Sequence, residues 1–160
     1  MPKARSVGFA IVGSIAATLL ACSGANTGEG EYALRLGEVI DTVNGAGFGI
    51  SQPFLDAQSC TTEVECAVAA DSLVAEFKKY NPILREQIRV LEGLDAPAKY
   101  TRFQSLYIEQ LGLRIEAGEL IIDGWESFNE TLLNDGFEKF RQSQAKFGQI
   151  LDELESIRGN

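Results

Sequence analysis

The chain has 160 residues, 14 Lys and Arg against 23 Asp and Glu, and a net charge of −9, which bounds it to one small acidic domain plus any processed segment. Nine phenylalanines and a 45% hydrophobic content support a packed core and exclude general disorder. Histidine is absent, which excludes the commonest general base, the commonest zinc ligand and every Ser/His or Cys/His nucleophile arrangement.

The first 21 residues read as a secretion signal. Lys3 and Arg5 give a positive start, and Val7 to Ala21 is an apolar run of fifteen residues. That is short of the roughly 20 a helix needs to span a hydrocarbon core. The run closes on Leu19-Leu20-Ala21-Cys22, which resembles the lipobox of bacterial lipoprotein precursors. The resemblance implies that Cys22 receives a diacylglycerol, becomes the new N-terminus after cleavage, and holds the protein to the membrane through acyl chains such as palmitate. An ordinary signal peptide cut near Ala21, leaving a free thiol, is the alternative. Loss of Lys3 and Arg5 leaves twelve bases against 23 acids, a mature charge of −11. Such a surface repels nucleic-acid phosphates and anionic headgroups, so no nucleic-acid partner is expected and membrane contact should come through the lipid on Cys22. Residues 22–31 form the lipidated cysteine and a Gly, Ser, Asn and Thr-containing flexible tether, and 32–160 form the domain. The expected location is extracytoplasmic, anchored to a bacterial membrane. Neither Asp nor Lys closely follows Cys22 to mark retention at the inner membrane.

From Glu31 onward the hydrophobic period is helical, and the expected fold is all-α, an up-down-up-down antiparallel four-helix bundle. The first helix shows Leu36, Val39, Ile40 and Val43 on one face and is expected to break near Gly45 to Gly49, restarting at Ser51-Gln52-Pro53. Cys60 and Cys66, exported together, are expected to form a disulfide, two separate buried thiols being the alternative. Residues six apart in one helix rise about 9 Å, beyond the roughly 7 Å limit for a bridge, so Cys60 must lie outside the helix that holds Cys66. Thr62 and Glu65 have capping-box spacing for a start at Glu63. Zinc lacks the further Cys or His needed to complete a site.

The second helix runs to about Leu91, with Pro82 expected to bend it, and Leu94-Asp95-Ala96-Pro97 turns into the third. The third is expected to end near Leu133, where Asn134-Asp135-Gly136 breaks the chain and Asp135 and Glu138 cap the fourth. The fourth carries Phe137, Phe140, Phe147, Leu151 and Leu154. Two apolar series skip a position, at Asn81 and at Gln110, so both amides are expected to point inward. Counting from the turn between them sets them level and able to bond each other, the alternative being that either side chain reaches solvent at the edge of its helix. The Leu91-Glu92-Gly93-Leu94-Asp95-Ala96-Pro97 turn, the long helix after it and the Leu132-Leu133-Asn134-Asp135 break resemble a group of uncharacterised bacterial lipoproteins with helical-bundle ectodomains. The resemblance covers about 70 residues and implies no activity.

Four patterns invite functional readings. Gly45, Gly47 and Gly49 lack the preceding strand and the spacing of a dinucleotide loop, which favours a bend or unwinding. Asn129-Glu130-Thr131 matches a glycosylation acceptor, a short match of the kind that arises by chance. Trp125, Phe128, Phe137 and Phe140 form either an apolar ligand pocket or an aromatic core end. Glu109, Glu116, Glu119, Asp123, Glu126 and Glu130 recur along one side of the third helix. Glu116, Glu119, Asp123, Glu126 and Glu130 are the candidate face for a basic partner or a cation such as calcium, ion pairing across the following hairpin being the alternative. In that alternative Lys139 is level with Glu126 and Glu130, and Lys146 with Asp123.

No residues are assigned catalytic, cofactor or metal roles. The functional expectation is a lipid-anchored, non-enzymatic envelope protein whose bundle binds a protein partner or a small apolar ligand. A purely structural spacer and a carboxylate-only hydrolase are the other readings.

Overall fold

The computed structural model describes residues 28–159; the signal segment and the lipobox Cys22 lie outside the described residues. The described chain is all-α, with no strand among its elements. Helix α1 spans Gly28–Ser59, α2 spans Glu63–Glu92, α3 spans Thr101–Glu126 after a single 3-10 turn at Ala98–Tyr100, and α4 spans Glu130–Gly159. Short connections fold successive helices antiparallel. Tyr32 near the start of α1 stacks on Tyr100 before α3 at 5.2 Å. Phe54 near the end of α1 meets Phe137 and Phe140 early in α4 at 5.8 and 4.5 Å. These contacts give the up-down-up-down bundle expected from the sequence.

The expected break in α1 does not occur: the helix runs unbroken through Gly45 to Gly49. Its buried series Leu36, Val39, Ile40, Val43, Gly47 and Ile50 keeps three-four spacing straight across the glycines. Close packing explains part of that composition. A Cβ on Gly47 would lie 3.3 Å from the Tyr80 hydroxyl oxygen, and one on Gly49 would collide with the Glu76 carboxylate. These glycines let α2 side chains rest on bare α1 backbone. Helix α1 also opens at Gly28, so the last four residues of the expected tether are helical.

The α1–α2 corner forms as its residues dictate. Cys60 follows the end of α1, and Cys66 sits in α2 with a Cα–Cα separation of 5.1 Å across the disulfide. Thr62 caps α2: its Oγ1 accepts from the Glu65 backbone N–H, and the Glu65 carboxylate accepts from Thr62 N–H. Pro82 lies inside α2.

Two boundaries differ from expectation. Pro97 precedes the 3-10 turn and α3 begins only at Thr101, because Tyr100 is fully buried and the turn seats its ring in the core. At the far end α3 stops at Glu126 and α4 starts at Glu130, so the predicted break at Asn134-Asp135-Gly136 is helical. The chain reverses through Phe128, which takes left-handed backbone at φ 53°. Phe128 N–H donates to Trp125 O at 3.2 Å and Asn129 N–H to Gly124 O at 2.8 Å, which satisfies the last carbonyls of α3. Asn129 Oδ1 then accepts from Thr131 N–H at 3.0 Å and Leu132 N–H at 3.3 Å, capping α4 in place of the expected Asp135. Gly136 is a packing residue, since a Cβ there would stand 3.0 Å from Ala117 O on α3.

Candidate functional site

At the disulfide end the four helices leave an apolar cleft of about 240 Å³. Ala57 and Cys60 close one side, Cys66, Ala70, Leu73 and Val74 of α2 form the floor, and Ile121, Trp125, Leu133 and Phe137 of α3 and α4 form the opposite wall. None of these side chains titrates, the two cysteines being joined to each other. The local sequence creates the space. Ala57 and Ala70 put only a methyl where a bundle places a large residue, and Gly124 brings α3 so close to α4 that a Cβ there would sit 2.7 Å from Leu133 N. Trp125 is held by its polar edge, its indole N–H donating to Asp71 Oδ1 on α2 at 2.7 Å. Its ring therefore has no polar demand of its own left to meet.

The expected aromatic group is divided. Trp125 and Phe137 line the cleft. Phe140 is 4% exposed and packs on Phe54 and Phe77 in the core, whereas Phe128 is 88% exposed beyond the cleft. The misplaced α3 end explains why these four did not separate in sequence.

The acidic face is divided as well. Glu116 pairs with Lys139 at 2.6 Å and Glu109 with Lys146 at 2.7 Å, both on α4. Glu119 pairs instead with Arg85 and Glu126 with Lys78, both on α2. Asp123 and Glu130 make no ion pair among the described residues. Cross-hairpin pairing therefore exists, but not between the partners expected: moving the reversal from 134–136 to 127–129 shifts the level that each lysine meets on α3 by about three to four turns. No group of three or more His, Cys, Asp or Glu that could hold a metal ion occurs among the described residues. Two carboxyl groups are displaced from their ordinary range, both downward. Backbone donation from Thr61 leads the lowering of Glu65, and hydrogen bonding from Arg141 leads that of Glu138.

Asn81 and Gln110 are buried, at 3% and 1% exposure, but they do not bond each other. Gln104 Nε2 donates to Leu91 O at 2.5 Å, tying the start of α3 to the end of α2, and farther along the pair Asn81 lies opposite Ile115 and Gly118. Asn81 Nδ2 reaches Ile115 O at 3.4 Å, and its Oδ1 has no partner. With its carboxamide oxygen toward α3's own next turn, Gln110 accepts from Arg114 Nη2 at 3.0 Å and Nε at 3.2 Å. Arg114, not singled out in sequence, also donates to the Tyr80 hydroxyl at 2.9 Å. A half-buried arginine one turn after a buried glutamine was the available signal.

Fold and site together define an all-α four-helix bundle with an apolar cleft at one end. No protein-family model, curated protein or solved structure matches this chain.

Proposed function

We propose that this chain is a lipid-anchored, non-enzymatic envelope protein whose bundle binds a small apolar ligand in the cleft beside the disulfide. The observation that carries the binding half is the cleft itself, a concavity lined by Leu73, Ile121, Trp125, Leu133 and Phe137 with no titrating group among its walls. The anchoring half rests on the apolar run and Leu19-Leu20-Ala21-Cys22. Among the described residues no helix is long and apolar enough to cross a membrane.

Trp125 is the sole tryptophan, so its fluorescence reports the cleft alone. Decanol, a neutral apolar probe, should shift its emission saturably, and Ala70→Phe, which fills the cleft, should abolish the response. An unsaturable response, or one that survives Ala70→Phe, would refute the binding half. For the anchor, Cys22→Ala should move the protein from the membrane fraction to the soluble one, and retention after a high-salt wash would refute it.

A protein partner is the second reading. Val64 and Val68 lie one turn apart on the outward face of α2 and are 74% and 61% exposed.

A further inference from the structure

Charge is distributed very unevenly along the bundle. Residues 51–72 and 119–138, which converge on the cleft end, contain ten carboxylates and no Lys or Arg. The rest of the described chain holds thirteen carboxylates and twelve bases, so nearly all of the net charge belongs to one end. Lys78 and Arg85 reach in from α2 to Glu126 and Glu119, and Arg141 to Glu138. Three further carboxylates on the helices that line the cleft are not among those paired. Asp71 holds the Trp125 indole, Glu63 lies one turn before Cys66, and Glu130 lies one turn before Leu133. None of the three is in an ion pair among the described residues.

A separate observation concerns Phe128. A bulky side chain in left-handed backbone is disfavoured, and glycine is the usual occupant of that turn. This chain nevertheless puts a phenylalanine there, and its ring is 88% exposed three residues from Trp125. It contributes nothing to the core.

We infer that the cleft takes an amphiphilic cation: a small molecule with one apolar arm and an amine or quaternary ammonium head. The arm lies between Trp125, Leu133 and Phe137, and the head stays at the mouth among Asp71, Glu63 and Glu130, where the face of Phe128 offers a further cation contact. The excess of acidic side chains at this end acts over about 8 Å at physiological salt, so it draws in a cationic head and repels a fatty-acid carboxylate or a phosphate. This assignment rests on the proposal that the cleft binds a small apolar ligand.

The test uses the full-length chain carrying Cys22→Ala, so that no attached acyl chain competes, with Trp125 emission as the readout. Three probes share one apolar arm: decyltrimethylammonium, decanol and decanoate, each below its micelle concentration. The cation is expected to bind at least ~10-fold tighter than decanoate at low salt, with the difference shrinking toward ~2-fold at high salt. Glu63→Gln with Glu130→Gln should weaken the cation several-fold and leave decanol unchanged. Phe128→Gly should weaken the cation while the helical signal is retained. Equal affinity for all three probes would overturn the charge assignment and leave the cleft reading standing. Absence of a saturable response to any probe would overturn both.

Discussion

Asn81 and Gln110 are both buried, yet Asn81 reaches only Ile115 O while Gln110 accepts from Arg114. The skipped apolar positions at Asn81 and Gln110 did mark interior residues, because a three-four period fixes which way a side chain points regardless of what lies opposite. Their partners depend on helix register, and the 3-10 turn at Ala98–Tyr100 delays α3 to Thr101, so that Asn81 meets Ile115 instead of Gln110, a shift no periodicity announces. The two sites are therefore energetically separate. Gln110→Leu leaves Arg114 short of an acceptor and should cost about 1 to 3 kcal/mol. Asn81→Leu exchanges a half-satisfied amide for an apolar side chain of similar size beside Gly118 and should change stability by less than about 1.5 kcal/mol. Urea midpoints of the singles and the double should combine additively within about 0.5 kcal/mol. Recovery in the double would show that the two amides are coupled after all.

The helices differ in how plainly their ends were written. Thr62 and Glu65 announced the start of α2 because a capping box is a local device, complete within four residues. Glycines misled in both directions. Those in α1 and at Gly136 looked like breaks and are helical, whereas the actual reversal after α3 has Phe128 where glycine belongs. Three substitutions separate these cases by sign. Gly45→Ala meets nothing within 4 Å and, in a continuous helix, should stabilise by about 1 kcal/mol. Gly124→Ala drives a methyl against Leu133 backbone and should destabilise by about 1 to 3 kcal/mol. Phe128→Gly relieves the left-handed backbone and should stabilise by about 1 kcal/mol. Thermal melts decide all three, and a destabilising Gly45→Ala would argue that α1 does bend there. The disulfide belongs to the same scale. It closes a short loop between two helix ends, so mild reduction should lower the melting temperature through a loss of about 2 kcal/mol while leaving the helical signal. Complete unfolding would make the bridge a condition of the fold. The cleft was only half legible: Trp125 and Phe137 stood out, but the space before them comes from Ala57, Ala70 and the close α3–α4 approach, which are tertiary facts.

Taken whole, the bundle buries tyrosines on its inner faces, and this gives it an alkaline limit. Tyr107 is 5% exposed, and burial, first among the causes, pushes its hydroxyl well above the ordinary value of 10.0; Tyr32 is raised in the same way. The fold favours the protonated phenol. That contribution is fully present below about pH 10 and is lost as pH climbs above it, because the unfolded chain ionises first. Denaturation midpoints should hold steady to about pH 10 and then fall, and Tyr107→Phe should soften the fall. A wild-type profile that stays flat beyond that point would contradict the buried phenols.

The same molecule is an electric dipole along its own long axis. Thirteen carboxylates and twelve bases leave most of the rod close to neutral, while ten carboxylates and no Lys or Arg of its own load its tip. Its α1 has 32 residues and so is about 48 Å long, several times the roughly 8 Å over which a charged bilayer makes itself felt. On the proposed anchor at Cys22, a rod so charged and held by its lightly charged foot would experience, beside an anionic membrane, a torque that lifts the tip. Upright would then be its lowest-energy attitude, with the cleft turned to solutes arriving from the aqueous side instead of lipids moving within the leaflet.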